Sequence, residues 1–262
     1  MSFESAKKNW EGLARRDMLW AICTHPNKQD KGWNKEEFYE TGKEEIFRVF
    51  EKLKSDGLIP EDHQRAMDFG CGVGRLSRPL AGYFQEVYGV DVSPTMINHA
   101  IQFNEHDPES DRLHFVLNTG DDLSLFEDEF FSFIYTTIVL QHIPYPASIK
   151  YLEEFMRVLK PGGKLVFQIP VQDIRILSLV QRLKSLLKIR ERLALMGIGK
   201  GFHMTMHVVD EEEIVSWINQ CGGIVLQRYT TNHTDPDYDG RLQFIREDDS
   251  IHFVSRMFVV KK

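Results

Sequence analysis

From Arg65 onward the chain alternates short apolar runs with helical segments, and this alternation limits the fold more than any other feature. Strands separated by helices cannot pair as hairpins. Each must cross over and return parallel, which buries the sheet between helical layers. The runs are RAMDF, EVYGV, LHFVLN, FFSFIYTTIVL and KLVFQI. Between them lie GRLSRPLAGYF, a helix opened by Ser93 as N-cap and Pro94 as first helical residue, and a helix from Ala147 to Lys160. Pro161-Gly162-Gly163 stops the last of these. A further capped helix, VVDEEEIVSWINQCGG, precedes two closing strands, IVLQRYT and HFVSRMFVV, around a polar loop.

The flanking segments read differently. Residues 1–60 form a helical cap: one amphipathic run passes through Trp10, Leu13 and Met18, and another from Glu36 to Lys54 stops at Ser55-Asp56-Gly57. Trp33, Phe38 and Tyr39 either wall a ligand site or staple this cap to the core. Residues 61–262 form the main domain, interrupted at about 171–205 by a helical insertion with apolar steps at Ile176, Leu179, Val180, Leu183, Leu186 and Leu187. Between Val171 and Lys200 seven basic residues face two acidic ones, so this segment is either a lid with a solvated outer side or a peripheral contact for an anionic membrane. The whole chain carries a formal charge of −7, which argues against non-specific nucleic-acid binding. Three scattered cysteines, no signal-peptide core and no membrane-length apolar stretch point to a cytoplasmic protein.

The chemistry concentrates at Asp68-Phe69-Gly70-Cys71-Gly72-Val73-Gly74, where the first strand meets the next segment. Glycines there let the backbone turn tightly and approach a ligand without a Cβ in the way. Asp68 sits at the strand end, placed to face an ammonium group or to orient the loop. Asp91 ends the second strand, where an adenosine site places an acid for ribose hydroxyls. The sixth position of the motif is Arg75, which departs from the glycine or alanine of a dinucleotide fingerprint and disfavours a nicotinamide cofactor.

In their order, MDFGCGVGRLSRPLA, YGVDVSPTMINHA, NTGDDLSLF, FIYTTIVLQHIP and RVLKPGGKLVFQIP resemble the class I S-adenosylmethionine-dependent methyltransferases. The fold expected is α/β: a doubly wound, Rossmann-like, mostly parallel seven-stranded sheet with a closing antiparallel hairpin, the N-terminal cap, and the insertion after strand five. The resemblance implies S-adenosylmethionine as cofactor and S-adenosylhomocysteine as product. It implies that Gly70, Cys71, Gly72 and Gly74 form the loop beside the methionine part and that Asp91 binds the ribose. Val92 and Met96 would lie against the adenine, Gly120 with Asp121 or Asp122 beside its amino group, and Ile138 beyond strand four.

The candidate catalytic residues are His142 in LQHIP, at the carboxyl end of strand four, and His207, with His203, in GFHMTMHVV. Each also has a plainer role as a hydrogen-bonding loop residue. The 203/207 spacing lacks a neighbouring carboxylate, so no metal site is expected. The NPPY-type loop of amino-directed nucleic-acid methyltransferases is absent, which points to a small-molecule acceptor. A non-catalytic domain that binds the adenosyl cofactor as a sensor or partner subunit is the alternative.

Overall fold

A computed structural model describes residues 2–174 and 206–262. Of the insertion expected from about 171, residues 175–205, with the basic residues from Arg175 to Lys200 and His203, lie outside the described residues, and 171–173 continue the fifth strand instead of opening a helix. Two helices come first, α1 (Phe3–Ile22) and α2 (Lys35–Ser55). The strands are β1 (Arg65–Phe69), β2 (Glu86–Asp91), β3 (Leu113–Leu117), β4 (Phe131–Thr136), β5 (Leu159–Asp173), β6 (Ile224–Thr231) and β7 (Phe253–Lys261). Between them run α3 (Ser77–Leu80), α4 (Pro94–Asn104), α5 (Tyr145–Val158) and α6 (Glu211–Gln220). They build one seven-stranded sheet in the order β3-β2-β1-β4-β5-β7-β6. The first five strands pair in parallel, and β7 inserts antiparallel between β5 and β6.

Alternate side chains of each strand feed opposite faces, as the period of two requires. On one face Met67, Leu165, Phe167, Phe258 and Val260 pack with α5 and α6 through Phe155, Met156, Ile214 and Ile218. On the other, Ala66, Val166, Met257 and Val259 pack with α2 through Ile46, Val49, Phe50 and Leu53. A register shift between Phe131 and Phe133 puts those two residues on different faces. Thus α2 is itself a layer of the sandwich. Among the described residues no helix is long and apolar enough to cross a membrane.

Two expected elements are shorter than the sequence pattern suggests. The helix over GRLSRPLAGYF reduces to Ser77–Leu80 within a run of turns, because Pro79 has no amide to donate and its ring crowds the preceding turn. Strand four ends at Thr136 although the apolar run continues to Leu140. Ile138 turns the chain out of the sheet at φ +60°, and a 3-10 turn follows over Leu140–His142. The continuing apolar residues wall a cleft instead of extending the strand.

Candidate functional site

The cleft opens at the carboxyl ends of β1, β2 and β4, the crevice where ligands bind in open α/β sheets. Gly70 and Gly72 adopt φ of +77° and +54°, a left-handed backbone costly for any residue with a Cβ. At Gly70 a Cβ would lie 2.2 Å from the Val139 side chain, and at Gly72 2.5 Å from that of Ile22. Gly74 (φ +84°) faces the other way, against Phe115 and Asn104, and lets the loop pack on β3 and α4.

Asp91 closes the loop onto β2. One carboxylate oxygen accepts the Ser93 amide at 2.8 Å and the other the Gly72 amide at 2.9 Å. Burial pushes its carboxyl pKa up, and those amides pull partly against the rise. A carboxylate offers about four acceptor sites, so the loop amides leave it acceptor capacity toward the cleft. Asp68 is buried and accepts the Ser77 hydroxyl at 2.6 Å. Burial raises its pKa to about 7 despite that hydrogen bond.

Helix α1 covers the cleft. Phe3, Ala6, Lys7, Trp10 and Ile22 all line it. Trp10 meets the His142 ring edge-on at 5.1 Å between centroids. Glu11 ties the helix down by accepting the hydroxyls of Ser93 and Thr95, each at 2.6 Å, at the N-terminus of α4. Burial alone would raise the Glu11 carboxyl, but those hydroxyls and Arg15 hold it below the usual range.

The cleft gathers Asp68, Gly70, Cys71, Gly72, Asp91, Val92, Met96, Ile138 and His142 of the residues expected from the sequence. Gly120 and Asp121 are not among its lining residues. The Gly120 carbonyl accepts the Tyr151 hydroxyl at 2.8 Å, and Asp121 pairs with Lys150 at 2.7 Å on the surface. Asn118, two residues earlier, lines the cleft in their place. His207 is also outside the lining. Its backbone amide donates to the Gln141 carbonyl at 2.7 Å, and burial holds its ring below the usual histidine range. Tyr39 takes the stapling role, its hydroxyl donating to the Val73 carbonyl at 2.8 Å, while the Trp33 indole donates within the cap to the Cys23 carbonyl at 2.9 Å.

Arg75 explains itself from below the loop. Its guanidinium is buried against Glu45 of α2 at 2.8 Å. Glu45 also accepts the hydroxyls of Tyr135, Thr137 and Tyr238. Burial would raise the Glu45 carboxyl, and the adjacent Arg75 outweighs it and holds the pKa well below the usual range. Gly42 lets α2 come this near, since a Cβ there would lie 2.2 Å from the Arg75 carbonyl oxygen.

The donor set fits an adenosyl amino acid: one buried carboxylate, Asp68, and one half-buried, Asp91, with glycine backbone between them and apolar walls from Val92 and Met96. Comparison with known proteins points the same way. Residues 67–167 match the methyltransferase-domain family model. The mitochondrial ubiquinone biosynthesis O-methyltransferase of Candida albicans is 25% identical over 173 residues, covering 65% of this chain and 50% of that protein. The chain therefore spans half the length of that relative. A SAM-dependent methyltransferase from Leishmania major superposes with a TM-score of 0.61 at 11% identity, covering 99% of this chain and 82% of the other. Magnesium protoporphyrin IX methyltransferase from Synechocystis, solved with bound SAH, gives 0.56 at 20% identity, covering 90% of each chain.

Proposed function

We propose that this chain is a class I S-adenosylmethionine-dependent methyltransferase that transfers a methyl group to a small-molecule acceptor. The observation that carries the proposal is the pairing of Asp68 and Asp91 across a glycine loop in one apolar cleft. S-adenosylmethionine supplies an activated methyl group on a sulfonium. Asp91 is assigned the ribose hydroxyls and Asp68 the ammonium. Val92 and Met96 are assigned the adenine faces, and Asn118 its edge. A hydroxyl oxygen is the favoured acceptor atom, because the relative from Candida albicans is named as an O-methyltransferase.

The protein's share of the work is alignment. Holding nucleophile, methyl carbon and leaving sulfur in line can supply roughly 7–11 kcal/mol of a displacement barrier. Helix α1 excludes water from above through Phe3 and Trp10, and the β4 loop supplies the facing wall through Ile138 and His142. His142 is assigned the acceptor side, since it follows the strand end and lies within the cleft.

The test is calorimetric titration with S-adenosylmethionine, with NAD as control and Asp91→Ala beside the wild type, followed by turnover with hydroxyl-bearing acceptors. Binding weakened by Asp91→Ala, no NAD binding, and consumption of cofactor support the reading. Binding without turnover on any acceptor would favour a sensor, and no binding would remove the proposal.

A further inference from the structure

Beneath the acceptor wall runs a buried chain of side-chain amides whose directions can be worked out from one unambiguous donor. The Ile138 backbone N–H donates at 2.8 Å to the side chain of Gln168 on β5. A backbone amide nitrogen can only donate, so the Gln168 atom facing it is its oxygen. The Gln168 nitrogen then points away and donates to Ser255 Oγ at 2.9 Å and to the Gln141 side chain at 3.2 Å. The Gln141 atom receiving it must be the oxygen, which leaves the Gln141 nitrogen against His142 Nε2 at 3.2 Å. An amide nitrogen offers only hydrogens, so His142 Nε2 must accept. All four side chains in this path, Gln168, Ser255, Gln141 and His142, are buried, where a mismatched pair of donors would go uncompensated by water.

We propose that Gln168 and Gln141 are positioning residues that hold His142 as the neutral imidazole protonated on Nδ1, with its Nε2 lone pair engaged by Gln141. The same Gln168 oxygen fixes Ile138 in its left-handed backbone, so one side chain sets both the shape of the cleft wall and the tautomer of the histidine in it. His142 then cannot take a proton from an acceptor through Nε2 without breaking its contact with Gln141. Its role in methyl transfer is to orient the acceptor rather than to act as a base through that nitrogen. This assignment of a role rests on the methyltransferase reading, whereas the tautomer rests on the hydrogen bonds alone.

The experiment is a long-range proton–nitrogen correlation spectrum of the histidine-labelled protein, with the His142 signals identified by their loss in His142→Gln. The wild type is expected to carry its proton on Nδ1. In Gln141→Glu the side chain facing Nε2 becomes a pure acceptor, and the proton is expected to move to Nε2. Should that variant fail to fold, Gln141→Met, which removes the donor without adding an acceptor, is expected to show a mixture of tautomers. A wild-type His142 protonated on Nε2 overturns the proposal, as does a Gln141→Glu protein that carries no proton on Nε2. The spectrum requires neither cofactor nor turnover, so a chain that bound no S-adenosylmethionine would sink the functional reading and leave this result standing.

Discussion

Ser93 donates its hydroxyl to the Glu11 carboxylate at 2.6 Å while accepting the Met96 amide at 3.1 Å, so the N-cap of α4 is also the anchor of α1. The carboxylate sits where a helix N-terminus favours negative charge. Replacing Glu11 by alanine removes the hydrogen bonds from Ser93 and Thr95 and frees the helix that covers the cleft. Hydrogen bonds to a charged group are worth about 1.5–3 kcal/mol each, and part of that loss is expected to appear as cofactor binding weakened about tenfold. Calorimetric Kd values for wild type and Glu11→Ala check it. Equal affinities would mean that α1 does not hold the ligand.

With Asp68 assigned to the cofactor's ammonium, cofactor binding is expected to depend on pH. The Asp68 carboxyl's folded-state pKa of about 7 stands above the ordinary 3.8 because burial disfavours the charge. An ammonium brought against it favours the ionised form, so binding at about pH 6 is expected to release about one proton per site and at about pH 8.5 almost none. Titration in buffers of different ionisation enthalpy measures this directly, and Asp68→Asn should abolish the release. The same raised pKa bears on stability with a definite sign. The contribution is fully present below about pH 3.8 and is lost as pH rises through about 7, by a few kcal/mol, a slope that Asp68→Asn should remove.

Gly70 and Gly222 separate backbone strain from steric contact. Both have positive φ, +77° and +80°, but a Cβ at Gly222 meets nothing within 4 Å, whereas one at Gly70 strikes Val139. Gly222→Ala is expected to cost about 1–2 kcal/mol of stability, the left-handed penalty alone. Gly70→Ala should cost clearly more and abolish cofactor binding. Denaturant melts of the two variants, read side by side, decide it; equal losses would show that the loop yields freely at Val139.

The Glu45–Arg75 pair is a stability element with its own acid limit. Removing one partner leaves a buried charge unpaired, so Glu45→Ala should lose about 3–5 kcal/mol in denaturant unfolding. Because the Glu45 carboxyl is held below its ordinary 4.5, its contribution is present above that value and is lost as pH falls through the lower, folded-state pKa. Acid unfolding that began at the same pH in Glu45→Ala as in the wild type would count against the pair as the sensitive element.

The sheet was legible because parallel strands write themselves as short apolar runs, and the glycine loop because its residue types have few other uses. Asp68 and Asp91 could be read from their places at strand ends. What escaped depends on long-range approach. Trp10 and Glu11 belong to a helix whose apolar pattern shows that it packs, but not that it packs across the mouth of the cleft. Asn118 lines the cleft where the sequence pointed to Gly120 and Asp121, since loop register has no periodicity to fix it. Ile138 reads as one more strand residue, and nothing in VLQHIP announces that a glutamine thirty residues later turns its backbone. Gln168 itself looks like an ordinary polar position in KLVFQI.

The packing of α2 against β7 constrains how the molecule can be made. Residues 46–53 share one apolar cluster with Met257 and Val259, and Glu45 reaches the hydroxyl of Tyr238. A ribosome delivers these partners about two hundred residues apart, so the early helix waits with its oily side uncovered until the final strand arrives and slides between β5 and β6. Assembly is therefore completed only after β7 has emerged, and a nascent chain stalled short of residue 253 would be a client for chaperones rather than a smaller folded domain.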